Sequence, residues 1–106
     1  MDTPGNKAFV AAYRKKSGGV PPGYGPGAGY GLMKMVLRGM KKANSTNPVD
    51  VIRALEGEKG NNFVGDFYIN GRNHQTVRPF FVMRTKPESE MADKYDFAEI
   101  VDVSST

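Results

Sequence analysis

The chain contains no cysteine and a single histidine, His74, and these two shortages exclude more than any one residue establishes. Without cysteine there is no disulfide framework and no thiolate metal site, and the redox compartment cannot be read from thiols. One histidine supplies neither an imidazole pair for zinc nor a relay of two imidazoles, so no metal and no cofactor is expected. Long apolar runs are missing too: no stretch approaches the ~20 residues of a membrane span. The opening MDTPGNKAF has neither the charged nor the apolar region of an export signal. At 106 residues, 39% of them hydrophobic, the chain is expected to be one domain at most, with a modest core and no room for a two-domain enzyme.

What is abundant is glycine and proline, concentrated in GGVPPGYGPGAGYG between Gly18 and Gly31. Pro21, Pro22 and Pro26 fix φ while Gly23, Gly25, Gly27 and Gly29 widen it, so a shaped loop with a closely approachable backbone is expected. Gly23, Gly25 and Ala28 satisfy G-x-G-x-x-G/A formally. The context required of a dinucleotide fingerprint is absent, because Val20-Pro21-Pro22 precedes it instead of a buried strand. A loop whose glycines solve a packing problem accounts for the same residues.

Charge is distributed unevenly behind a net +4. From Pro87 onward six acids face only Lys94, which gives −5 and leaves +9 on the preceding part. A basic body with an acidic tail raises a nucleic-acid reading. The simpler account puts Lys15, Lys16, Lys41 and Lys42 in the last turns of helices, where cations complement the dipole. No groove-entering or base-stacking motif accompanies them, so no nucleic-acid partner is expected.

The pattern predicts a first helix capped by Asn6 and running to about Lys16, with Phe9, Val10 and Tyr13 inward and Gly18-Gly19 as its stop. A second helix is expected from about Ala28 to Ala43, burying the stripe Leu32, Met33, Val36, Leu37 and Met40, with Lys34 outside. Asn47-Pro48-Val49-Asp50 reads as cap, proline at the first helical position and first-turn acid of a third, short helix ended by Gly57. Glu58 to Asn62 reads as polar loop. Phe63 to Ile69 has strand composition, followed by an Asn70-Gly71 turn. Arg78 to Arg84 predicts a second strand whose Pro79 confines it to an edge or a strand start. Pro87 to Asp96 reads as loop, and Phe97 to Val103 as a last short strand. Two main strands are too few for a closed sheet, so the sequence predicts a piece of something larger or a dimer.

In order, Phe9-Val-Ala-Ala-Tyr-Arg-Lys-Lys16, Pro21-Pro-Gly-Tyr24, Gly29-Tyr30-Gly31, Asn47-Pro48-Val49-Asp50, Ile52-Arg-Ala-Leu-Glu-Gly57, Gly65-Asp-Phe-Tyr-Ile69, Asn73-His-Gln75 and Phe80-Phe-Val-Met83 carry a resemblance. The chain resembles the C-terminal portion of periplasmic substrate-binding proteins of ABC transporters, of the branched-chain amino acid (Leu/Ile/Val-binding) type I family. The resemblance spans about residues 6 to 86. It implies an α/β fold class: an incomplete fragment of a type I periplasmic-binding-protein fold, three helices followed by a two-stranded β segment and an acidic tail. Residues 1–86 would form the C-terminal portion of the ligand-binding domain and 87–106 the acidic tail.

By that resemblance the complete protein is periplasmic and is not an enzyme. It binds an amino acid or small carboxylate between two lobes and delivers it to an ABC permease. The chain would cross between lobes near Val77 to Phe80. Tyr24, Gly25 and Tyr30 are the ligand-binding residues implied, Tyr24 foremost, since a tyrosine offers an apolar face and one hydroxyl to a ligand side chain. Gly25-Pro26-Gly27 departs from the bulkier residues of related sequences. As an isolated fragment the chain is expected to form a homodimer, because Phe80 to Met83 has no partner strand within these residues. A basic nucleic-acid-binding module and a small interaction domain are the competing readings. Asp66 and His74 as a catalytic base and its orienter lack the nucleophile motif that such a reading requires.

Overall fold

The computed structural model describes residues 3–63 and 65–104. Val64, placed by the sequence within the first strand, and the residues at the two ends lie outside them. Helix α1 spans Pro4–Lys16. Its cap is Thr3 and not Asn6: the Thr3 Oγ1 accepts from the Asn6 amide at 3.1 Å, and Pro4 takes the first helical position. Proline there loses no hydrogen bond, and Thr-Pro therefore starts the helix three residues earlier than expected. The stop is as expected, with Gly18 and Gly19 at φ 68° and 94°.

Helix α2 spans Tyr24–Ala43, so Tyr24, Gly25, Pro26 and Gly27 form its first turn and are not a loop. Pro26 is tolerated because a first-turn N–H has no partner within the helix. Asn44 closes α2 in the left-handed region at φ 49°, its N–H reaching Met40 and Lys41 carbonyls. Helix α3 is Pro48–Leu55, and the Asn47 side chain accepts from the Val49 amide at 2.9 Å as its sequence predicts.

Three strands follow in one antiparallel sheet, β1 Lys59–Asn62, β2 Gly65–Ile69 and β3 Thr76–Val77, ordered β1-β2-β3. The polar stretch expected as loop is thus a strand; pairing with β2, from Lys59 opposite Tyr68 to Asn62 opposite Gly65, makes it one despite its composition. Arg78 and Pro79 then lead into a second sheet made of β4 Phe80–Thr85 and β5 Ala98–Ser104.

The expectation that Phe80 to Met83 lacks a partner is therefore overturned. The strand pairs antiparallel with β5, from Phe80 opposite Ser104 to Thr85 opposite Ala98, with an irregularity between Val82 and Met83. The backbone reason for a dimer goes with it. Between β4 and β5 the chain folds back through a 3-10 turn, Glu88–Glu90, and a further turn in which the Asp96 amide donates to the Asp93 carbonyl at 3.0 Å. Lys86 bonds both Asp96 carboxylate oxygens at 2.9 Å, and Asp96 also accepts from the Ala92 amide at 3.0 Å. These contacts, the Ala92 bond first, hold the Asp96 carboxyl below its ordinary range. The acidic residues after Pro87 thus belong largely to a folded hairpin.

The buried apolar core is small: Val51, Phe67 and Ile69. Helices α2 and α3 meet at Gly39, where a Cβ would stand 2.9 Å from both Leu55 Cγ and Val51 Cγ1; only glycine lets them come this close. On another side of α2, Arg38 and Lys42 reach Glu58, a buried carboxylate just before β1, at 2.7 and 2.5 Å. The Lys42 bond leads in lowering the Glu58 pKa, with both cations contributing and burial opposing.

The apolar stripe of α2 does not behave as its spacing predicts. Leu32, Met33 and Leu37 are 63%, 59% and 55% exposed, and only Met35, Val36 and Met40 are half-buried. The helix uses its glycines and cations for contact inside the chain and leaves much of its aliphatic side open. The radius of gyration, 16.4 Å, exceeds the ~13 Å of a compact domain of this length.

Candidate ligand-contact site

Tyr24 is the first residue of α2 and is 86% exposed. A Cβ at Gly23, Gly25 or Gly29 would meet nothing within 4 Å, so these glycines solve no packing problem inside this chain. The helix start is open and presents the Tyr24 ring outward, with Gly25 beside it.

Tyr30 lies elsewhere. Six residues on, at ~100° per residue, it points about 120° away from Tyr24. Its ring stacks on Phe9 at 4.6 Å and 24°, and meets Phe63 edge-on at 5.7 Å and 66°. The structure therefore does not bring Tyr24 and Tyr30 together: Gly25 stays with Tyr24, while Tyr30 joins α1 to α2.

Phe63 is the residue that sequence reading missed. A Cβ at Gly31 would stand 3.0 Å from its ring and a Cβ at Gly5 3.3 Å from its Cα, so it fits between the two helices because both positions lack a side chain. Its carbonyl also accepts from the Thr3 hydroxyl at 2.8 Å. The spacing of Gly27 and Gly31, one helical turn apart, was the available signal. Beside this cluster lies a cleft of about 390 Å³ lined by Ala8, Phe9, Tyr30, Lys34, Asn61 and Phe63, among others; Tyr24 and Gly25 are not part of it.

Asp66 and His74 do not act together. Asp66 accepts from the Asn61 side-chain amide at 2.7 Å, and His74 pairs with Glu56 at 2.9 Å. Among the described residues no cluster of three or more His, Asp or Glu side chains could hold a metal, and no helix is long and apolar enough to cross a membrane.

Residues 1–92 match the family model described as periplasmic binding protein. The chain belongs to the periplasmic binding protein family. Its mixed α/β fold matches a portion of known members of the fold. An amino acid ABC transporter substrate-binding protein from Pseudomonas fluorescens Pf-5 superposes with a TM-score of 0.89 at 26% identity, covering 100% of this chain and 28% of that one. A solute binding protein of an ABC transporter from Rhodopseudomonas palustris BisB5, solved with 3,4-dihydroxybenzoic acid, gives 0.73 at 26% identity over 81% of this chain and 24% of that one. A periplasmic binding protein from Burkholderia mallei shares the fold at 0.84 and 20% identity, over 96% of this chain and 27% of its own. This family member thus spans about a quarter of the length of the solved structures it matches. No curated protein matches it.

Proposed function

We propose that this chain is the C-terminal portion, at residues 1–86 with the acidic segment 87–106 following, of a type I solute-binding component of an ABC transporter. In the complete protein it binds an amino acid or related small carboxylate between two lobes, in the periplasm, and hands it to a permease without chemical change. Family membership and the two transporter-related structures at 26% identity support this reading.

The observation that carries it is the exposed Tyr24 on the first turn of α2, with Gly25 next to it. A large aromatic side chain left uncovered, on backbone fixed by a helix, is poised to close on a ligand's apolar part. Tyr30, through its stack with Phe9, fixes the helix that aims Tyr24. The exit of the chain from one sheet at Val77 and its start in another at Phe80 fits a crossing between lobes.

Calorimetric titration of the complete binding protein tests the site. Tyr24→Ala should weaken solute binding by about 1–3 kcal/mol, the scale of one lost aromatic anchor. Unchanged affinity would remove Tyr24 from the site and, with it, the observation on which this reading leans.

A further inference from the structure

We propose that the cleft between α1 and the end of β1 is a second small-molecule site, one that takes a small aromatic carboxylate of the benzoate kind. Its volume of about 390 Å³ lies inside the ~300–1,000 Å³ range of small-ligand pockets. Phe9, Tyr30 and Phe63 give its wall three aromatic surfaces within 6 Å of one another, against which a planar ring packs offset or edge-on.

The charge at the rim is Lys34. Its Nζ lies 3.5 Å from the Tyr30 hydroxyl and 5.1 Å from the ring centroid, and no carboxylate among the described residues pairs with it. Its neighbours on α2 differ: Arg38 and Lys42 are both answered by Glu58. An ammonium with its charge unanswered, beside aromatic walls, is the complement of a ring that carries one carboxylate. Asn61 adds a second donor, for only one of its two amide N–H groups is needed for the bond to Asp66. Neither Tyr24 nor Gly25 lines the cleft, so the second site stands or falls separately from the first.

The test is an amide NMR titration of the full 106-residue chain with sodium benzoate. Saturable shifts at Ala8, Phe9, Lys34 and Asn61 are expected, with a Kd of about 1 mM for a ligand this small. Lys34→Gln, an exposed substitution that should leave the dispersed spectrum intact, should weaken binding about tenfold, and neutral benzyl alcohol should bind the parent comparably weakly. Equal affinity of the parent and Lys34→Gln overturns the proposal. So does the absence of saturable shifts, and so do shifts confined to residues 24–28, which would place the ring on the helix start.

Discussion

The body formed by α2, α3 and the β1-β2-β3 sheet and the hairpin formed by β4 and β5 carry similar apolar residues and treat them differently. The body buries Val51, Phe67 and Ile69, and locks Glu58 between two cations. The hairpin buries none of its residues. Its register puts Phe81 and Val103, Met83 and Ile100, and Thr85 and Ala98 on one face, with Phe80 opposite Ser104, Val82 opposite Asp102 and the Arg84–Glu99 ion pair on the other. The first face is the more apolar of the two and the second carries the charges, as on a sheet with one covered face. Patterning therefore declares which face is meant to be covered, and only a neighbouring layer covers it; in the body α2 and α3 supply that layer.

The comparison is broken most sharply at Phe67. Phe67→Ala should destabilise the chain by about 3–5 kcal/mol in urea unfolding, the cost of emptying a buried aromatic position. A loss below ~1 kcal/mol would show that the body is no better packed than the hairpin. Next comes Gly39→Ala, where the new methyl must displace Leu55 and Val51 from 2.9 Å. The helix gains ~1 kcal/mol of propensity, yet crowding should dominate and lower the melting temperature, with a net cost of about 1–2 kcal/mol. A raised melting temperature would mean that α3 yields easily.

Glu58 sharpens the contrast through pH. Its folded pKa lies below the ordinary 4.5, so the stability it contributes is complete above that value and is lost as pH falls through the folded pKa. Parent stability should fall on acidification below about pH 4.5 more steeply than that of Glu58→Gln, and parallel curves would contradict the assignment. The smallest effects belong to the uncovered surfaces. Leu37→Ala on α2 and Met83→Ala on β4 should each stay within ~0.5 kcal/mol, because both side chains already lie mostly in water. A large loss at Leu37 would restore the buried stripe that helical spacing predicts.

Local chemistry was legible where it is self-contained. The Asn47-Pro48 start of α3, its Gly57 stop at φ 72°, the Gly18-Gly19 stop of α1 and the strand after Phe97 all follow from residues adjacent in sequence. Features decided by distant partners were not. Lys59 to Asn62 becomes a strand only because β2 lies beside it. The α2 stripe is exposed because α1 and the first sheet meet that helix through Tyr30, Gly31, Arg38 and Lys42 instead. Tyr24 and Tyr30 read as one site in sequence, but starting the helix at Tyr24 instead of Ala28 fixes their angular separation. Phe63 carried no motif of its own; its role depends on what Gly5 and Gly31 omit.

That dependence gives α1 a thermodynamic character of its own. The helix has no buried residue, and among the described residues several of its ties to the rest of the chain meet at Phe63 and Tyr30: the Phe9 stack, the Thr3 hydroxyl bond and the close pass at Gly5. A helix that buries none of its residues opens as a unit, at a free energy below that of global unfolding. Hydrogen exchange should therefore release the amides of α1 together and early, while those facing Gly39 at the α2–α3 contact wait for the whole chain to unfold.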